Sequence, residues 1–175
     1  MDDLEVHRKT NLGDARTFDE FYRQTAPRLQ AFLRQIVGSR EAAEDVAQET
    51  YIQLWKRPSG FQPERGALRT YLFGVGRKRA AEWWRRQSPA AEPANEAMQP
   101  DRAESSSVMA DAMQRLPEEQ RTLLWLREVE GQSYAELAEI LGIPIGTVRS
   151  RLFAAREALR QVWQVGDQTS TRRSL

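Results

Sequence analysis

The chain has 175 residues, with 40% hydrophobic and 29% charged positions and a formal net charge of +1. Length and composition fit one medium or two small soluble helical domains. The absence of cysteine excludes disulfides and thiolate metal sites. No apolar run is long enough to span a bilayer. The charged start, "MDDLEVHRKT", lacks the apolar core of a secretion signal. The single histidine, His7, lies in this polar stretch and is expected to be solvated; residues 1–16 are taken as an N-terminal tail.

The near-neutral total hides a sorted distribution. Residues 1–86 carry 16 Lys/Arg against 12 Asp/Glu, and residues 87–107 carry 1 against 4. Residues 142–160 carry 4 arginines against a single acid. Cationic clusters of this kind are the electrostatic footprint expected for a polyanion partner.

In chain order, "TFDE" (Thr17–Glu20) fits a capping box, and Phe18, Phe21, Tyr22, Leu29, Phe32, Leu33 and Ile36 follow at helical spacing. Pro27 should kink or split this helix. Gly38 ends it, and Ser39 can cap a second helix over about 40–57. On that second helix Ala43, Val46, Ala47, Thr50 and Leu54 share a core face. Asp45, Gln48, Glu49, Ile52 and Trp55 fall on the opposite side. An outward Ile/Trp pair beside carboxylates is either a docking face for a basic or amphipathic partner or a patch covered by another element.

A Pro/Gly-rich loop, "RPSGFQPERG" (Arg57–Gly66), leads to a third helix over about 67–86. Gly74 and Gly76 inside it each cost about 1 kcal/mol against alanine, so close packing or a local break is expected there. The helix ends "RKRAAEWWRR" (Arg77–Arg86), in which cations alternate with Trp83 and Trp84. That pattern suits single-stranded nucleic acid, with cations on phosphates and rings on bases; Phe61 in the preceding loop could help to form a pocket for an unstacked base. Inward packing of Trp83 with solvated arginines is the competing reading.

Residues 87–107, with three prolines and few large apolar side chains, read as a flexible acidic linker. Helices are expected beyond it at about 108–115, 118–129, 134–141 and 145–163. The stretch "SYAELAEILGIPIGTVRSRL" has small Ala138 where two helices would cross, Gly142 at the turn and Val148 facing inward. This spacing marks a helix-turn-helix. On its second helix Ile145, Val148, Leu152, Ala155, Leu159 and Val162 form the apolar stripe, while Thr147, Arg149, Ser150, Arg151, Phe153 and Arg156 form or flank the outer edge. Arginine and serine there can donate to phosphate or guanine, and Phe153 can meet a thymine methyl.

Two of these motifs carry a resemblance. "LPEEQRTLLWLREVEGQSYAELAEILGIPIGTVRSRLFAAREALR" (Leu116–Arg160) resembles the promoter-reading C-terminal domain of extracytoplasmic-function (ECF) sigma factors of bacterial RNA polymerase. "FDEFYRQTAPRLQAFLRQIVGSREAAEDVAQETYIQLWKRP" (Phe18–Pro58) resembles the start of their N-terminal domain, and the 67–86 helix their promoter-melting helix. The resemblance implies an all-α protein of two small helical domains, at 17–86 and 108–165, joined by the 87–107 linker, with a short C-terminal tail at 166–175. It implies a non-enzymatic initiation factor without metal or cofactor. Its partners would be core RNA polymerase (the clamp helices of the largest subunit and the flap), promoter DNA and an anti-sigma factor, in the cytoplasm and without membrane insertion. Carried over by position, Asp45, Gln48, Glu49, Ile52 and Trp55 would dock on polymerase. The 58–66 loop with Phe61, Tyr71, Arg77, Lys78 and Arg85 would hold the −10 strand. Thr147, Arg149, Ser150, Arg151, Phe153 and Arg156 would read the −35 element. Tyr71 and Lys78 stand where relatives often have tryptophan and asparagine. The alternatives are a stand-alone helix-turn-helix regulator, which needs a dimer and a palindromic site, and a helical adaptor without a DNA role.

Overall fold

In a computed structural model the described residues are 3–11, 13–87 and 108–171. Among them the secondary structure is helical, with no strand. The linker assigned to 87–107 lies outside the described residues from position 88 on, as does the tail beyond Thr171.

The first departure from expectation is at the start. Residues Asp3–Asn11 form a helix, α1, with Asp3 and Glu5 in its first turn and Arg8 and Lys9 in its last. That charge order complements the helix dipole. Val6 is 1% exposed and Thr10 is buried, so α1 is packed rather than a solvated tail. It is anchored by buried Val6 and by the bond of the Leu68 amide to Asp3, both concealed in a polar-looking sequence.

Helix α2 runs Ala15–Val37 and is capped by Asp14, not Thr17. The Asp14 carboxylate accepts from the Arg16 and Thr17 amides and from the Thr17 hydroxyl. The bond from the Thr17 hydroxyl, then the backbone bonds, hold its carboxyl below the usual range. The helix passes through Pro27 as one element and ends at Gly38, whose φ of 77° supplies the left-handed turn. Ser39 then caps α3 (Arg40–Lys56), accepting from the Ala42 amide. Two 3-10 turns, Pro58–Gly60 and Pro63–Arg65, carry the chain to α4 (Leu68–Gln87). Helices α2, α3 and α4 enclose Leu29, Phe32, Leu33, Leu68, Leu72 and Phe73, each no more than 1% exposed. Gly76 has a packing reason: a Cβ there would lie 3.0 Å from Leu29 Cδ1 and 3.5 Å from Leu33 Cδ2.

The second unit comprises α5 (Val108–Gln114), α6 (Glu118–Leu124), α7 (Tyr134–Leu141) and α8 (Ile145–Thr171). The expected 118–129 helix divides: after Leu124 the chain takes a π-helical turn, Trp125–Val129. Helix α8 continues past the expected end near 163, through Gly166 and the first part of the 166–175 tail.

The two units form one continuous apolar core. Helix α7 lies against α4, and α6 against α2. Gly74 belongs to this seam, since a Cβ on it would sit 3.8 Å from the Ile140 Cα. Polar bonds fix the rest. Arg28 pairs with the buried Glu130 at 2.9 Å, and Arg65 with Glu139 at 2.7 Å. Thr70 donates to Glu136 at 2.9 Å. The amide nitrogen of buried Gln132, turned toward them, reaches Thr70 Oγ1 at 3.3 Å and both Glu136 carboxylate oxygens at 3.2 Å. Burial pushes the Glu136 carboxyl up, but bonds from the Ser133 amide and hydroxyl and from Thr70, with nearby Arg69, hold it below its ordinary value.

Candidate functional site

Three surfaces carry the residues singled out above. The first is on α3. Ala42, Ala43, Val46, Ala47, Thr50, Tyr51 and Leu54 are buried, which turns the opposite side outward. Asp45 and Gln48 are exposed and Glu49 is half-buried. Ile52 is 44% exposed and Trp55 37%. No element among the described residues covers the pair. The Trp55 ring rests on Phe18 at 4.9 Å, which holds its orientation while leaving a free edge. Glu49 also meets Arg86 of α4 at 3.4 Å. The result is an apolar pair rimmed by an amide and carboxylates, the form of a protein-docking patch.

The second surface is the loop and the outer side of α4. Tyr71 and Arg77 are half-buried, and Lys78 and Arg85 are exposed. None of these three cations has a carboxylate partner among the described residues. Phe61 is placed differently from the expectation. It is 4% exposed, with His7 edge-on to its ring at 5.0 Å and Tyr71 at 5.8 Å. Its ring therefore backs the loop instead of offering a stacking face. A Cβ on Gly60 would lie 2.5 Å from the Tyr71 hydroxyl, so only glycine leaves that oxygen its place. Trp83 and Trp84 are both half-buried and edge-to-face at 5.0 Å. Trp83 packs on the core, and the Trp84 indole donates to the Ile36 carbonyl at 3.3 Å. The tryptophans are thus committed to packing, and the cations alone face outward. A groove runs along this surface between Phe61, Tyr71, Arg77 and Lys78 on one side and Glu139 and Gly142 of the second unit on the other.

The third surface is the helix-turn-helix. Ser133 and Glu136 form a reciprocal capping box on α7. Gly142 takes φ 67° and its amide bonds the Ala138 carbonyl at 2.9 Å, closing the helix before Pro144 starts the next. Leu137, Val148, Leu152 and Ala155 are fully or almost fully buried. Ile145 is not: it is 43% exposed, because it sits in the first turn of α8, ahead of the crossing. The outer edge carries Arg149, Ser150, Arg151, Phe153 and Arg156, all exposed, with Thr147 half-buried. Phe153 is 73% exposed, the most open of the large apolar side chains. Ser150 donates to the Thr147 carbonyl. The arginines differ in their present partners. Arg151 pairs with Glu119, and Arg156 chelates Glu128 at 2.7 and 3.1 Å. Among the described residues Arg149 has only the Tyr134 ring, 6.0 Å away. Arg149 is therefore the cation on this edge that can take a new acceptor without giving up a carboxylate.

Among the described residues no cluster of histidine and acidic side chains could hold a metal, and no helix is long and apolar enough to cross a membrane. Sequence reading missed α1 altogether, and with it the bond of Asp3 to the Leu68 amide and the contact of the His7 ring with Phe61.

The family model for Sigma-70 region 2 matches residues 21–89, and that for Sigma-70 region 4 matches residues 107–159. The RNA polymerase sigma-H factor of Pseudomonas aeruginosa is 30% identical over 93% of this chain and 94% of its own length. The ECF RNA polymerase sigma factor RpoE of Cereibacter sphaeroides is 31% identical over 85% of this chain and 87% of its own. Among solved structures, the sigma factor RpoE of Bartonella quintana, crystallised with the anti-sigma factor NepR, superposes with a TM-score of 0.67 and 26% identity, covering 85% of this chain and 97% of that one. CnrH, solved with the cytosolic domain of CnrY, shares the fold at a TM-score of 0.71 and 20% identity over 93% of this chain and 97% of that one. These relatives are sigma factors, not stand-alone regulators, and the chain belongs to the ECF family of RNA polymerase sigma factors.

Proposed function

We propose that the three surfaces divide the work of transcription initiation among named residues. As a sigma factor, the protein binds core RNA polymerase, directs it to promoters through the −35 and −10 elements, and promotes opening of the DNA. In our reading Asp45, Gln48, Glu49, Ile52 and Trp55 dock on the clamp helices of the largest polymerase subunit. Tyr71, Arg77, Lys78 and Arg85 hold the −10 strand, with Phe61 supporting the loop from behind. Thr147, Arg149, Ser150, Phe153 and, after exchanging their carboxylates, Arg151 and Arg156 meet the −35 duplex. Residues 17–86 and 108–165 act as the two functional units, the second also meeting the polymerase flap, with 87–107 as the tether between them. Tethering both DNA contacts on one enzyme raises their effective concentration, so neither needs to bind tightly alone.

The observation that carries this reading is the pair of open faces at opposite ends of the chain. An Ile52/Trp55 patch left uncovered on α3 serves a protein, and a recognition helix with Arg149 and Phe153 turned outward serves DNA. The reaction itself belongs to the polymerase; this chain contributes binding and strand capture, and it acts in the cytoplasm. By the example of the NepR complex of its relative, an anti-sigma protein is the regulator expected to mask these faces.

Arg149→Ala tests the DNA-reading edge. It should lower the preference for the native −35 sequence over a mismatched one by about 1–3 kcal/mol. Equal loss on both sequences would make Arg149 a phosphate contact.

A further inference from the structure

We infer that the N-terminal helix α1 is a positioning element for the −10 loop, acting through Asp3; this rests on the assignment of the loop and Tyr71 to the −10 strand. A helix begins with amides that have no partner within it, and the residue before Leu68 is Ala67, whose side chain accepts nothing. Leu68 is 1% exposed, so water is poorly placed to help. Its amide instead donates to Asp3 Oδ2 at 2.8 Å, from a residue 65 positions earlier in the chain. Asp3 thus performs from a distance the work of a local N-cap, and places a negative charge at the positive end of α4.

The rest of α1 bears on the same loop. His7 presents its ring edge-on to Phe61 at 5.0 Å. Phe61 in turn meets Tyr71, whose hydroxyl lies against the Gly60 backbone. The loop's backbone bonds are short-range turns, Gly60 to Arg57, Phe61 to Pro58, Arg65 to Gln62 and Gly66 to Pro63, and the Arg65 side chain is held by Glu139 of α7, not by α4. These shape each turn but do not set the loop against α4. Asp3 at one end and His7 on Phe61 at the other supply that alignment. Asp3 touches no DNA-facing atom itself; it fixes the first turn of α4, one turn from Tyr71.

The test uses the full chain assembled with core polymerase. Its probe is a single-stranded non-template oligonucleotide spanning the −10 region of a promoter at which this holoenzyme initiates. Asp3→Ala should weaken strand binding about fivefold, and Asp3→Asn, which keeps a capping oxygen, should restore it to within about twofold of wild type. Affinity for core polymerase and for a −35 duplex should not change. Tyr71→Ala serves as the reference. If Tyr71→Ala loses the strand while Asp3→Ala binds it like wild type, the role of α1 is refuted and the −10 assignment stands. If Tyr71→Ala keeps full strand affinity, the −10 assignment falls and the inference with it. Equal loss of strand and polymerase binding in Asp3→Ala, without rescue by asparagine, would reduce Asp3 to a general stabiliser and overturn the proposal.

Discussion

Trp55→Ala should weaken binding to core RNA polymerase by at least about 2 kcal/mol, roughly thirtyfold, with the fold intact. Exposed tryptophans at the centre of a docking face dominate interface energies because they bury a large rigid surface for little lost side-chain freedom. Trp55 has that character. It is 37% exposed, adjoins Ile52 at 44%, and is steadied by Phe18. The buried side of α3 does not depend on it: Leu54 and Tyr51 are 3% and 4% exposed, and the Tyr51 hydroxyl is bonded to Thr25 at 2.8 Å. Burial pushes that phenol well above the usual tyrosine range, so it stays a neutral partner across the working pH. Competition of labelled wild type against Trp55→Ala for core polymerase, with circular dichroism on the free variant, measures the effect. Unchanged affinity would remove α3 from the docking surface.

Arg121→Ala should destabilise the free protein by about 3 kcal/mol and lower its melting temperature by about 6–12 °C. Arg121 is 6% exposed and, among the described residues, has no carboxylate partner at bonding distance. Its guanidinium donates instead to three carbonyls, those of Gln35 at 2.9 Å, Gln114 at 3.3 Å and Leu116 at 3.4 Å. Burial lowers its affinity for the proton, with Glu118 opposing, but a guanidinium remains charged. Truncation would leave buried carbonyls without donors, and one of them, Gln35, belongs to α2, so the seam between the two units weakens as well. Calorimetry should show Arg115→Ala, which loses only an exposed pair with Asp111, shifting stability by less than about 0.5 kcal/mol. Equal, small shifts for both variants would mean that Arg121 does not anchor the seam.

The features legible in the sequence are those set by nearby residues. The helix-turn-helix follows from Ser133, Ala138, Gly142 and Val148, whose cap, crossing, turn and core roles act within one or two helical turns. The outward Ile52 and Trp55 followed from periodicity alone, because α3 is regular and its small buried residues fix its phase. What escaped depends on partners far along the chain. Helix α1 looked like a polar tail because its anchoring bond joins Asp3 to Leu68. Phe61 looked available because the His7 ring that covers it comes from the same overlooked helix. Gly74 announced close packing but not its partner, the α7 backbone at Ile140. Arg151 and Arg156 read as free cations because Glu119 and Glu128 lie about thirty residues upstream, beyond any helical repeat. Ile145 fell in phase with the apolar stripe, yet a residue in the first turn of a helix can precede the packed region.

As a sigma factor, this chain confers promoter selection on a polymerase that lacks it. Run-off transcription with purified core RNA polymerase on genomic templates, with and without the protein, tests this directly. Discrete start sites that appear only when the protein is added, and that disappear with Trp55→Ala, are the expected result. A transcript pattern identical with and without the protein would contradict the account.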